Sequence, residues 1–214
     1  MSDCLAAELN GTRTCSILSS SKQKSKKEET MDTALKCERG DITQLAVDAI
    51  VNSTETSLVG SFCGGVDGAI RRAAGEAFSQ ACVDIILRKA KGFEIGEVAS
   101  IKATGTLKSK YVINTFGPNS SMNEDTIRQK LKDCYMNSMY EAHRLNATTV
   151  AFPCISTGAN QVGRSPCVRI SLNDTARIAI QAVTEACKKI SDIKLIVFCC
   201  HNDETEKAYR MLLR

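Results

Sequence analysis

Tryptophan is missing from this sequence, proline occurs three times, and aromatic residues make up only 5% of the 214 positions. Rings are sparse, and lysine and arginine are spread along the chain rather than gathered in a stripe. No stacking groove for nucleic acid is therefore expected. No apolar run approaches the roughly 20 residues of a membrane span, and the start carries no signal-peptide pattern, so no membrane partner is expected. Histidine is scarce, with only His143 and His201, and no CxxC pair occurs. Zinc is therefore not expected, nor is any other metal. Neither G-x-G-x-x-G nor G-x-x-x-x-G-K-[ST] is present, which sets aside a Rossmann dehydrogenase and a P-loop NTPase, and no cofactor is expected.

What is present describes a soluble globular protein: 43% hydrophobic residues, 24% charged residues and a formal charge of +4. A charge so modest still permits binding of a small anion. The eleven cysteines are Cys4, Cys15, Cys37, Cys63, Cys82, Cys134, Cys154, Cys167, Cys187, Cys199 and Cys200. Several fall in apolar runs, where they act as small hydrophobes, and they are read as reduced thiols of a cytoplasmic or nuclear protein. Residues 1–34 include Ser19-Ser20-Ser21-Lys22-Gln23-Lys24-Ser25-Lys26-Lys27-Glu28-Glu29, polar and without apolar period, and are expected to be a disordered tail. Residues 35–214 are expected to form one domain, acting as a monomer.

Within it, Ala49-Ile50-Val51, Val98-Ala99-Ser100-Ile101, Tyr111-Val112-Ile113, Val150-Ala151-Phe152 and Leu195-Ile196-Val197-Phe198 read as buried strands. Ile127, Leu131, Cys134, Tyr135, Met139 and Ala142 mark one helical face, and Leu172, Ala176, Ala179, Val183, Ala186 and Ile190 mark another. A last helix is expected over Asp203 to Leu213, capped by Asn202 or Asp203. Strands alternating with helices predict a mostly parallel sheet covered on both faces.

Ligands of such sheets sit beyond the carboxyl ends of the strands. Two loops there draw notice. Gly60-Ser61-Phe62-Cys63-Gly64-Gly65-Val66-Asp67-Gly68-Ala69-Ile70 leads into a helix starting near Asp67, whose free amides and dipole suit a phosphate. Pro153-Cys154-Ile155-Ser156-Thr157-Gly158 offers hydroxyls and successive amides as a second anion nest. Two facing nests suit a diphosphate, although each loop alone also reads as a structural turn.

These loops occur with Gly40-Asp41-Ile42-Thr43, Val47-Asp48-Ala49-Ile50-Val51-Asn52, Gly65 through Gly75 and Tyr111-Val112-Ile113-Asn114-Thr115-Phe116-Gly117-Pro118. Together they resemble the macrodomains, of the MacroD type, over nearly all of residues 35–214. The resemblance implies a three-layer α/β/α sandwich with a mixed, mostly parallel central sheet, and ADP-ribose or mono-ADP-ribosylated protein as the partner. It implies that Asp41 accepts from the adenine amino group while the Ile42 amide supports the ring. Asn52 opens the segment that contacts the distal ribose. Gly64, Gly65 and Val66 would wrap the diphosphate from one side, with Ser156, Thr157, Gly158, Ala159 and Asn160 on the other. Asp67 matches the acidic residue linked to hydrolysis, where it would position or deprotonate a water. It reads equally well as a helix N-cap.

The ligand loops depart from the family. Its Asn-Ala-Ala-Asn is Asn52-Ser53-Thr54-Glu55 here, and Glu55 only accepts when ionised. Glu55 would hold ribose hydroxyls, replace the base, or abolish the site. The family histidine is Arg71, which cannot shuttle protons near neutral pH and would instead draw in phosphates or lie on the surface. The glycine loop is longer than usual, carrying Ser61, Phe62 and Cys63. No aromatic stands shortly after Gly158, where the family has one, and His201 stands where another aromatic is common; Arg164 would add a phosphate contact. Three readings follow: a metal-independent ADP-ribosyl-protein or O-acetyl-ADP-ribose hydrolase, a non-catalytic ADP-ribose reader, or a protein-interaction module.

Overall fold

The computed structural model describes residues 33–58, 64–157 and 170–214. The expected tail therefore lies outside the described residues, apart from Thr33 and Ala34. Six strands make one sheet: β1 (Ala34–Arg39), β2 (Ala49–Thr54), β3 (Val98–Lys102), β4 (Tyr111–Phe116), β5 (Thr149–Pro153) and β6 (Leu195–Cys200). Their order is β1-β6-β5-β2-β4-β3. Every neighbouring pair is parallel except β3 with β4. Among the described residues the helices are α1 (Gly65–Ala74), α2 (Glu76–Arg88), α3 (Glu124–Arg144), α4 (Leu172–Cys187) and α5 (Asp203–Leu212), with a 3-10 turn over Ile42–Gln44.

The alternation of side chains along each strand builds two cores. Ala49, Val51, Ile113, Val150, Phe152, Ile196 and Phe198 point to the face covered by α3, α4 and α5. Their neighbours Ile50, Val112, Ala151 and Val197 point to the face covered by α1 and α2. Both faces are apolar, so the central strands read as continuous hydrophobic runs. The mixed three-layer sandwich is as expected. β1 and α2 carried no signal that the strand and helix patterns picked up. β1 is an edge strand reading Ala-Leu-Lys-Cys-Glu-Arg, with three of its six side chains exposed. α2 has only Phe78 and Cys82 fully buried.

At the edge where the parallel strands begin, one carboxylate gathers three strands. Asp48 Oδ2 accepts from the amides and hydroxyls of Thr148 and Thr149, and Lys110 Nζ lies 2.7 Å from Oδ1. Burial alone would raise its pKa, but Lys110 and the threonine donors outweigh that and hold the carboxyl well below its usual range. Its stabilisation is therefore complete above the unfolded value near ~4 and is lost as pH falls below it. Asp48→Ala is expected to cost about 2–3 kcal/mol at pH 7, and much less at pH 2. Urea unfolding at the two pH values checks this; an equal cost at both would refute it.

Candidate functional site

The five parallel strands all end on one edge, and the loops that follow them form the candidate site. Gly40 and Asp41 follow β1, Glu55 to Leu58 follow β2, and Gly117 follows β4. Cys154 to Thr157 follow β5, and His201 follows β6. After β1, Asp41 caps the 3-10 turn: its Oδ1 accepts from the amide and the hydroxyl of Thr43. Asp41 itself is exposed, while Ile42 is buried and packs in the core under α1.

The centre of the site is a chain of polar contacts between β2 and α1. Asn52 on β2 is fully buried, and its Nδ2 donates to Asp67 Oδ1 at 2.7 Å and to Asn114 Oδ1 on β4 at 2.9 Å. Asn114 in turn donates to the Ala99 carbonyl on β3. The other Asp67 oxygen accepts from Arg71 Nε at 3.0 Å, one helical turn on, where the two side chains are only 7% and 14% exposed. Arg71 also donates to the Leu58 carbonyl at 2.7 Å and lies 5.6 Å over the Phe78 ring. Leu58 is buried with φ 53, an uncommon conformation for a branched residue that Arg71 helps to hold.

Two readings of these residues need correction. Asp67 is not the helix N-cap: Gly64 holds that position, and Asp67 lies inside the first turn. Arg71 neither lies on the surface nor is available to draw in phosphates, because its guanidinium is committed to Asp67 and Leu58. The glycines at the start of α1 have a conformational reason: φ is 120 at Gly64 and 64 at Gly65, which side chains would resist. Helix geometry leaves the first four amides of α1 without partners inside the helix, and Asp67 adds an acidic group there.

The facing loop is propped from below. The Tyr135 hydroxyl accepts from the Ile155 amide and reaches the Pro153 carbonyl and the Tyr209 hydroxyl, all within 3.3 Å. Burial pushes both phenols well above their ordinary pKa, so they stay protonated and keep their donors. Ser156 has φ 60 and donates to the Pro118 carbonyl, and Thr157 donates to the Cys154 carbonyl. A Cβ at Gly117 would meet Ser156 Oγ at 2.8 Å, so a side chain there would force that hydroxyl to shift.

The Macro domain family model matches residues 51–171. The chain is 38% identical, over 183 residues, to O-acetyl-ADP-ribose deacetylases of Citrobacter rodentium and of Escherichia coli K12. That span is 86% of this chain and 97% of each relative. This chain belongs to the macrodomain family. Among solved structures, the Oceanobacillus iheyensis macrodomain with ADP aligns at TM-score 0.75 and 29% identity, covering 85% of this chain and 90% of that one. The Trypanosoma brucei macrodomain in complex with ADP aligns at 0.71 and 27%, covering 86% and 70%.

In this macrodomain the structure brings Asn52 and Asp67 into contact and places Gly64, Gly65 and Val66 at the start of the helix that carries Asp67. Ser156 and Thr157 follow β5 on the same sheet edge. Glu55 is exposed just after β2, and its carbonyl accepts from the Leu58 amide. Gly158, Ala159 and Asn160 lie outside the described residues, as do Ser61, Phe62, Cys63 and Arg164. His201 is exposed and bonded to Asn202. Pattern reading gave no role to Asn114, Leu58 or Tyr135. Asn114 stood within a quoted motif, while Tyr135 fitted the apolar face of α3 so well that its hydroxyl went unnoticed.

Proposed function

We propose that this macrodomain binds ADP-ribose, free or attached to a protein, across the loops that follow β1, β2 and β5. The observation that carries the proposal is the Asn52–Asp67–Arg71–Leu58 chain, which fixes the N-terminus of α1 against the sheet edge. A rigid helix N-terminus with glycines at its mouth suits a diphosphate. The Ile155–Thr157 loop, held by Tyr135, would close on the same group. Asp41 would read adenine: one oxygen caps the 3-10 turn, and the other accepts from the exocyclic amine.

Calorimetric titration with ADP-ribose, with AMP as control, tests this. Asp41→Asn keeps an oxygen for the cap but turns the other atom into a donor facing the adenine amine. It is expected to weaken ADP-ribose about tenfold. No heat from folded protein at millimolar ligand would overturn the proposal and favour a protein-interaction role.

A second reading, hydrolysis of an ester or ADP-ribosyl link, is favoured by the deacetylase names of the relatives and by Asp67. It would use water as nucleophile, with Asp67 positioning it. Release of ADP-ribose from O-acetyl-ADP-ribose, measured by chromatography, separates a hydrolase from a reader.

A further inference from the structure

Three thiols lie in a row on the α5 side of the sheet. Cys200 Sγ is 3.5 Å from Cys37 Sγ and 3.5 Å from Cys154 Sγ. Cys154 is half-buried, while Cys200 is fully buried. Cys199, the residue before it in β6, points to the opposite face and donates to the Gly40 carbonyl. Burial pushes the Cys37 and Cys199 thiols up to about 12, and the hydrogen bond with Cys154, then burial, pushes Cys200 well up. Cys37 and Cys154 are both half-buried, and of the two only Cys154 opens the loop that follows β5.

Register separates the two possible pairs. Pro153 is opposite Cys199, so one more step puts Cys154 opposite Cys200 on the adjacent strand. Adjacent strands are about 4.8 Å apart, inside the Cα window of a disulfide at about 4.4–6.8 Å. Cys200 is instead opposite Arg39, two residues beyond Cys37. That offset adds about 6.6 Å along the strand, which puts the pair about 8 Å apart, too far to bridge without moving backbone.

We propose that Cys154 and Cys200 form an oxidation site for a hydroperoxide, yielding a disulfide that displaces the Ile155–Thr157 loop. In the first step the Cys154 sulfur attacks the peroxide. An S–O bond forms, the O–O bond breaks, and an alcohol or water leaves, so sulfur is oxidised by two electrons to sulfenic acid. In the second step the Cys200 sulfur attacks Cys154. The S–S bond forms, the S–O bond breaks, and the hydroxyl leaves with the Cys200 proton as water. Closing the pair from 3.5 Å to about 2.05 Å requires about 1.5 Å of travel. Cys154 bears that movement directly into the ligand loop, because its carbonyl accepts from both the amide and the hydroxyl of Thr157.

The effect on ligand rests on the ADP-ribose reading, whereas the disulfide does not. The test treats the reduced full chain with hydrogen peroxide, blocks remaining thiols with N-ethylmaleimide and maps linked peptides by mass spectrometry. A Cys154–Cys200 link is expected in the parent, in Cys37→Ala and in Cys199→Ala, and in neither Cys154→Ala nor Cys200→Ala. Cys199→Ala is needed because Cys199 and Cys200 share a tryptic peptide. Oxidation is expected to weaken ADP-ribose about tenfold, with recovery after dithiothreitol. Sulfinic acid at Cys154 without a link, or a link through Cys37, overturns the site. A linked protein that binds as well as the reduced one overturns the loop displacement. A reduced protein that never binds overturns the ADP-ribose reading and leaves the disulfide standing.

Discussion

Arg71→Ala is expected to lower the thermal midpoint of the domain by about 10 °C and to weaken ADP-ribose with it. The guanidinium serves two buried acceptors at once, Asp67 Oδ2 and the Leu58 carbonyl. Removing it leaves a carboxylate that is only 7% exposed without its counter-charge. Breaking a buried pair by deleting one partner costs about 3–5 kcal/mol. In a domain of this size each kcal/mol moves the midpoint by about 2–4 °C. Arg71→Lys keeps the charge but has one ammonium to serve two sites, so an intermediate loss is expected. Calorimetric melts of both variants decide the matter; an alanine variant melting within a degree or two of the parent would sink it. The pair also affects how an Asp67→Ala variant is read. Lost hydrolysis there is informative only alongside a melt, since that variant strands a buried guanidinium.

The contrast with the sequence lies in this pair. The fold was legible because both cores are written as runs and helical faces. Val150-Ala151-Phe152 and Leu195 to Phe198 admit few alternatives, and Asn202 caps α5 as read. That the loops expected to hold a ligand share one edge was legible too, since parallel strands end on the same side. The role of Arg71 was not. Whether an arginine one turn into a helix faces solvent or a neighbour depends on where the next element packs, and α2 supplies Phe78 and Cys82 at that point. Asp67 misled for a related reason, because an acidic residue near a helix start satisfies the capping pattern by composition alone. The actual cap is Gly64, chosen for backbone shape, which side-chain patterns do not record.

Gly105→Ala is expected to be at least as damaging as Arg71→Ala, costing well over about 3 kcal/mol. Gly105 has φ 64, and a Cβ there would lie 2.1 Å from the Ala73 carbonyl oxygen and 2.7 Å from that of Ala74. Those carbonyls end α1, and the same loop satisfies them: Thr104 Oγ1 donates to Ala74, and the Thr106 amide donates to Ala73. A methyl group would push the loop off the helix end and leave the carbonyls bare. The helix that carries Asp67 and Arg71 would then be fixed only at its front. Gly40→Ala is the control, because nothing lies within 4 Å of a Cβ there and φ is not left-handed; it is expected to melt with the parent. Equal melts for Gly105→Ala and Gly40→Ala would refute the account.

Among the described residues β1 is the first strand, yet it pairs with β6, the last of them, and Thr33 donates to the Ile193 carbonyl from 160 residues away. During synthesis the ribosome must release nearly the whole domain before that edge can form. Until then β1 waits as a short segment with no strand to join. Contacts of such long sequence separation are slow to make, because the loop they close is entropically costly. The β1 edge should therefore close late in folding, and sooner if β1 were moved by circular permutation to follow α5.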